Sequence, residues 1–203
     1  IAGSNKYPGA AILCSKAAKI TGAGYVKLFI NSTDVDFVNT INIELTETIV
    51  DNLHNMNDDL ISNIPVLIGP GTTESIFAHY KTTDFLNLNN KYVIDAGEFV
   101  LNGFEIYPTK SILTPHFGEF VKIFDFDGSN TLMLHHLNEV QDRIDDQVVI
   151  LKWHNTFIVT KNEVFIMDKG PSILATAGSG DVLSGILISL LAQGNSRLDA
   201  SIL

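Results

Sequence analysis

Short apolar segments ending in glycine or proline turns alternate with helix-like stretches along the whole chain, and no other property limits the fold as tightly. Residues 9 to 21 are Ala-rich, follow Pro8 and stop at Gly22, which predicts a helix. Tyr25 to Ile30 reads as a strand, Thr46 to Asn55 as a helix, and Ile64 to Ile68 as a buried strand closed by Gly69-Pro70-Gly71. A helix is predicted over Thr73 to Lys81. Strands follow at Tyr92 to Asp95, ending in Ala96-Gly97, and at Ser111 to Leu113, ending in Thr114-Pro115-His116. Helices are predicted from Gly118-Glu119 and over residues 130 to 144, where Leu132, Leu134, Leu137, Val140 and Ile144 recur at near-helical spacing. Val148 to Lys152, Thr156 to Thr160 and Glu163 to Met167 read as consecutive strands, with a hairpin at Lys161-Asn162. A helix over Gly180 to Gln193 comes last. Strands alternating with helices predict an α/β domain: a mostly parallel central sheet with helices on both faces and late strands turning antiparallel at one edge. At 203 residues, a single domain over 1–203 is expected, truncated at both ends.

The net charge of −10 and the lack of any basic block exclude a nucleic-acid-binding surface, which needs clustered Lys and Arg. The longest apolar run is too short to cross a bilayer, so no membrane partner is expected. Cys14 is the only cysteine, which rules out an intrachain disulfide and fits a reducing cytoplasm. Its Ala-rich surroundings predict a small buried packing residue.

In open α/β sheets, ligands bind beyond the carboxyl ends of the strands. The turns at Gly69-Pro70-Gly71, Asp95-Ala96-Gly97, Thr114-Pro115-His116 and Lys152-Trp153-His154 are therefore expected to line one crevice. The strongest chemical signal is ATAGSGDVLSGILISLLAQG, residues 175 to 194. Ala177, Gly178, Ser179 and Gly180 let the backbone approach an anion at a helix start, where N–H groups point outward. Asp181 sits in the first turn. It reads either as a catalytic carboxylate or as a first-turn acid favoured by the helix dipole, an effect of about 0.3–1 kcal/mol. Val182, Leu183, Ile186, Leu187, Leu190 and Leu191 form the anchoring face of this helix.

Gly3 to Ala10 reads as a ligand-approaching loop or as an ordinary turn into a helix. It is no Walker A loop, since no Gly-Lys-Ser or Gly-Lys-Thr ends it. His54, His79, His135 and His136 read as surface residues, whereas His116, after a strand-ending Thr-Pro, is assigned to a pocket. Glu119 is either a pocket residue or a first-turn helix residue.

Taken together, GSNKYPGAA, GAGYVKL, IGPG, IDAG, LTPHFGE, ILKWHNTFIV and ATAGSGDVLSGILISLLAQG resemble the ADP/ATP-dependent NAD(P)H-hydrate dehydratases, a branch of the ribokinase-like superfold. The resemblance spans residues 3 to 194. It implies nucleotide-dependent repair, in which the hydrated cofactors NADHX and NADPHX are returned to NADH and NADPH by phosphorylation of the ring hydroxyl and loss of phosphate. Asp181 would be the base, and Ala177, Gly178, Ser179 and Gly180 the anion hole. Ala10, Gly71, His116 and Asp181 match substrate-binding positions; Lys152, Trp153, His154, Asn155, Thr156 and Gly180 match the nucleotide site. ADP or ATP is the implied co-substrate, with Mg²⁺ held mainly by phosphates and water and no protein metal ligand assigned. A homo-oligomer is expected, as is fusion to an upstream NAD(P)H-hydrate epimerase domain.

Two departures stand out. The family usually has Lys-Gly where this chain has Lys152-Trp153, and commonly Asp-Ala-Asp where this chain has Asp95-Ala96-Gly97. The rival readings are a small-molecule kinase of the same superfold, such as one acting on a thiamin-precursor hydroxyl, and a nucleotide-binding module without activity.

Overall fold

A computed structural model describes residues 1–32, 34–56, 62–73, 90–100, 103–126, 133–170 and 175–203. The helix expected over Thr73 to Lys81, His79 and residues 130 to 132 lie outside or largely outside these segments. Helix α1 (Pro8–Ile20) starts on Pro8, whose missing N–H costs nothing in a first turn. Strand β1 (Lys27–Ile30), helix α2 (Val35–Glu44) and strand β2 (Ile49–Asn52) follow. Then come β3 (Val66–Ile68), β4 (Tyr92–Ile94), β5 (Ser111–Leu113), α3 (Phe117–Phe124), α4 (Met133–Arg143), β6 (Val148–Leu151), β7 (Thr156–Val159), β8 (Val164–Met167), α5 (Ser179–Ala192) and α6 (Arg197–Ile202).

The main sheet has the order β3-β4-β5-β6-β7-β8. Pairing is parallel from β3 to β6, while β6–β7 and β7–β8 are antiparallel, with Val159 opposite Val164 next to the predicted hairpin. Strands β1 and β2 pair in parallel as a second sheet. Residues 1 to 3 run between the two: the Ala2 N–H donates to the Phe29 carbonyl and the Gly69 N–H to the Ile1 carbonyl.

Two corrections concern this part of the chain. Residues 46 to 55 are not a helix: Ile49–Asn52 is strand β2, and Leu53–Asn55 a single 3-10 turn. The β-branched pair Ile49-Val50 suits a strand, and the Asn52 side chain accepts from the His54 N–H, stopping the strand. Helix α2 escaped the sequence reading because only Phe37 and Ile41 are buried and seven of its ten residues are β-branched or Asn. Its start is set by Asp34, whose carboxylate accepts from the Asp36 and Phe37 amides.

The alternation of strand side chains splits the core. One cluster joins Val149, Leu151, Phe157 and Val159 to Phe120, Ile123 and Phe124 of α3 and to Leu137 and Val140 of α4. The other joins Val148, Ile150 and Ile158 to Ala11 and Cys14 of α1 and to Leu187 and Leu191 of α5. His136 belongs to the first side. It is 6% exposed, with its ring stacked on Phe126 at 4.3 Å, so the surface reading of this histidine is overturned. His136, Leu137 and Val140 form the buried stripe of this helix, which a polar-looking His-His pair conceals. His54 and His135 are exposed as expected.

Helices α1 and α5 touch through small residues. A Cβ on Gly185 would lie 2.3 Å from the Cys14 carbonyl oxygen and 2.7 Å from the Ala17 Cβ, so only glycine permits this approach. The Leu187 and Leu191 side chains are buried beside it, whereas Val182 and Ile186 of the expected anchoring face are only half-buried. Cys14 is a buried free thiol, pushed by burial up to about 12, which makes it a packing residue as expected.

Candidate functional site

The parallel register brings the ends of β3, β4, β5 and β6 to one edge of the sheet. Gly69 there adopts φ +117° and lies so close to the Asp95 carbonyl that a Cβ would overlap it. Gly71, at φ +67°, meets α1: a Cβ on it would lie 2.5 Å from the Ala10 Cβ, and the Ser4 hydroxyl donates to its carbonyl at 2.7 Å. The proposed substrate residues Ala10 and Gly71 are thus brought together by a loop with no room for a larger residue at 71. Gly97 is equally enclosed, since a Cβ would stand 2.0 Å from the Thr72 Oγ1. The Thr72 hydroxyl donates to the Gly69 carbonyl at 3.0 Å, and the space a second carboxylate would need is filled.

His116 caps α3. Its Nδ1 accepts from the Glu119 N–H at 3.2 Å while the Glu119 carboxylate accepts from the His116 N–H at 2.8 Å. This reciprocal cap satisfies two helix-end amides. Glu119 therefore holds the helix start, and burial raises its pKa, opposed by the His116 amide, His116 and Lys152. The His116 side chain remains 62% exposed. Its backbone pairs with Lys152 in a parallel bridge, and the Lys152 N–H donates to the Pro115 carbonyl at 2.9 Å.

Just past the end of β6, the Lys152 and Trp153 side chains lie on opposite faces. The Trp153 indole lies with the α3 cluster, stacked on Phe117 at 5.2 Å, with the exposed His154 ring beside it at 5.0 Å. The Lys152 ammonium points the other way, 3.0 Å from the Asp95 Oδ1 and against the start of α5. Asn155 is exposed, and half-buried Thr156 opens β7 opposite Met167.

Gly178, at φ +89°, is the N-cap of α5, a backbone conformation that favours glycine. Among the described residues no side chain caps this helix. The Ser179 N–H turns back to the Thr176 carbonyl at 3.2 Å, leaving the Gly180 and Asp181 amides at the exposed start of the helix, where an anion is favoured. Burial, and then the charge of Asp95, push the Asp181 carboxyl up to about 6 against the pull of Lys152. A carboxylate poised near neutrality suits a general base.

Ala177 to Asp181, Lys152 and Asp95 thus meet at one point, and the Ala10–Gly71 contact and His116 lie at the ends of neighbouring strands. Sequence reading assigned no role to the Asp95 side chain or to Ser184. The signal for Ser184 was a hydroxyl one turn beyond Asp181 in a mostly apolar helix.

The NAD(P)H-hydrate dehydratase family matches residues 1–203. Among curated relatives, the bifunctional NAD(P)H-hydrate repair enzyme Nnr of Helicobacter pylori is 40% identical over 54% of this chain, and that of Dictyoglomus turgidum is 31% identical over all of it. The chain spans only 25% and 43% of the lengths of those two proteins. The ADP-dependent (S)-NAD(P)H-hydrate dehydratase of Lactiplantibacillus plantarum is 27% identical, with 98% of this chain aligned to 73% of the relative. Among solved structures, a ribokinase-like superfamily protein of Enterococcus faecalis superposes with a TM-score of 0.80 at 24% identity, covering 99% of this chain and 74% of that one. The ADP/ATP-dependent NAD(P)H-hydrate dehydratase of Bacillus subtilis co-crystallized with ATP/Mg²⁺ gives 0.79 at 23% identity, covering 100% and 74%. The fold is ribokinase-like, and with a match running the whole length of the sequence, the chain belongs to the NAD(P)H-hydrate dehydratase family.

Proposed function

We propose that this site uses ADP or ATP to dehydrate NADHX and NADPHX to NADH and NADPH, a hydro-lyase reaction that repairs a damaged cofactor. The observation that carries the reading is Asp181, its pKa raised to about 6, in the first turn of a helix that no described side chain caps, beside the Lys152 ammonium. Asp181 takes the proton of the ring hydroxyl as its oxygen attacks the terminal phosphorus, and the shortened nucleotide leaves. The ring C–O bond then breaks with phosphate as leaving group, a proton departs from the neighbouring carbon, and the double bond is restored. The turn Ala177 to Gly180 receives the charge of the transferring phosphoryl group. Ala10, Gly71 and His116 line the substrate side; Lys152, His154, Asn155, Thr156 and Gly180 lie on the nucleotide side, where Trp153 contributes its backbone while its ring packs on Phe117.

Mg²⁺, when bound, neutralises phosphate charge during the transfer. Both Asp95 oxygens are engaged, by Lys152 and Ser184, and Glu119 is engaged by His116. Those donors suit an ion carried mainly by the nucleotide phosphates. For the whole protein we propose a cytoplasmic homo-oligomer, and an associated epimerase unit consistent with the bifunctional names of its relatives; 1–203 is read as one domain. No helix among the described residues is long and apolar enough to cross a membrane.

The test is to incubate the protein with NADHX and ADP or ATP and follow the absorbance band of NADH. Recovery of the band with stoichiometric phosphate release is the expected outcome. A folded protein that phosphorylates a thiamin-precursor alcohol and leaves NADHX untouched is instead a kinase of the same fold. Nucleotide binding without any turnover marks a binding module.

A further inference from the structure

Asp95 stands at the end of β4, its side chain 2% exposed, where an isolated carboxylate is strongly disfavoured unless paired. Its two oxygens are divided between two elements. The Oδ1 accepts from the Lys152 ammonium at 3.0 Å, and the Oδ2 accepts from the Ser184 hydroxyl of α5 at 2.6 Å. The same hydroxyl lies 2.9 Å from the Gly180 carbonyl, which ties the first turn of α5 to the grip. A Cβ on Gly180 would stand 3.3 Å from the Lys152 Nζ and 3.9 Å from the Asp95 Oδ2. Glycine at 180 therefore leaves the gap in which strand ends and helix start meet.

The two ends of the ion pair differ in a telling way. The Asp95 side chain is enclosed, whereas that of Lys152 is 27% exposed. A purely structural pair has no need for an open cation, while a presented cation needs an anchored end and an open one. The Lys152 main chain is already fixed through Pro115 and His116, so its freedom lies in its side chain alone. Four rotatable bonds make a lysine a poor clamp until something restricts them.

We propose that Asp95 is a positioning residue: by gripping the Lys152 ammonium through one oxygen and the Ser184 hydroxyl through the other, it presents the lysine beside the first turn of α5 to meet nucleotide phosphate. The proposal rests on the reading that this turn receives a nucleotide. The groups facing Asp95 are Lys152 at the end of β6, Asp181 and Ser184 on α5, and Glu119 on α3 with its partner His116. Through this cluster the Asp95 charge also holds the Asp181 carboxyl up.

The test is a double-mutant cycle on the whole chain with Asp95→Asn and Lys152→Met, read by calorimetric ADP binding and by the pH profile of turnover. If Asp95 acts through Lys152, Asp95→Asn lowers kcat about tenfold or more, and the double variant is no worse than Lys152→Met alone. The acid limb of the profile also moves below the wild-type position. Ser184→Ala keeps the carboxylate and releases one side of the grip, so it serves if Asp95→Asn does not fold; a smaller change in the same direction is expected. Additive losses in the cycle, or an Asp95→Asn variant that binds ADP as well or better with kcat and acid limb unchanged, overturn the proposal. Binding of ADP makes the cycle readable without the repair reaction. Non-additive ADP binding in a protein inert toward NADHX would retain the positioning role and remove the repair reading, whereas a wild type that binds no ADP removes both.

Discussion

The two faces of the sheet are closed by different means. On the α5 face, α1 and α5 approach through Gly185, Ala17 and the Cys14 backbone, and a single added methyl has nowhere to go. On the α3 face, rings fill the space: Phe120 packs on Phe124 at 5.1 Å and on Phe126 at 5.5 Å, Phe104 stacks on Phe124, and Trp153 on Phe117. Small-residue contact fixes the relative position of backbones, and ring packing fills volume with less demand on where the backbone runs. The turn from Ala177 to Asp181 grows out of the first kind of contact. That is the face on which a displacement of a few tenths of an ångström reaches the proposed chemistry.

The largest expected effect on activity breaks the α5 face at its tip. Asp181→Asn should lower kcat by about 10²–10⁴-fold, the range for loss of a general base, while the protein stays folded. Its pH behaviour has a definite sign. The Asp181 carboxyl is pushed up from its ordinary value of 3.8 to about 6 in the fold, so between those values the folded state binds more protons than the unfolded one. The stability contributed by that proton is present at low pH and is lost as pH rises through 6. Relative to Asp181→Asn, the wild type should therefore melt lower at pH 8, and the gap should close toward pH 4. A gap of constant size across that range means that the carboxyl is not held up in the fold.

The next two predictions set the faces against each other in stability. Phe120→Ala empties a fully buried ring site and should cost about 3–5 kcal/mol in denaturant unfolding. Gly185→Ala adds only a methyl, yet it must push α5 off the Cys14 carbonyl, and about 1–3 kcal/mol is expected. Activity is expected to separate the two in the opposite order. Per kcal/mol lost, Gly185→Ala should depress kcat more, because the displaced helix carries Asp181. Equal kcat in Gly185→Ala and wild type, at a temperature where both are folded, ends the claim that this contact positions the turn.

Short apolar runs closed by glycine and proline turns made the main sheet readable from the sequence, including the antiparallel β7–β8 hairpin. The turn before Asp181 was readable for the same reason, because local chain geometry needs small residues there. What local pattern did not carry was partnership over distance. Asp95 and Ser184 are 89 positions apart and meet only because β4 and α5 are brought to one edge. Helix α2 was hidden by β-branched residues that favour strands on propensity, and β2 by Ile49 and Leu53 standing four positions apart, a spacing that suits one face of a helix. His136 was misjudged because burial of one histidine in a His-His pair depends on Phe126, which the spacing alone does not bring over it.

Trp153 gives the smallest expected change and the most direct test of whether the faces act separately. A tryptophan in place of the family's usual glycine would be expected to crowd the nucleotide if the ring shared a face with Lys152. The ring packs instead against the cluster of Leu151 and Val149, and its stacking on Phe117 holds it at the start of α3. Trp153→Gly should therefore change the KM for ADP or ATP by less than about threefold, a free-energy effect below about 1 kcal/mol. Stability should fall, since a half-buried indole loses its packing on Phe117 and glycine adds chain entropy to the unfolded state. A large fall in KM on removing the ring would mean that the indole reaches around the strand end into the nucleotide's space. In that case the aromatic face, and not only the small-residue face, sets how this site takes its co-substrate.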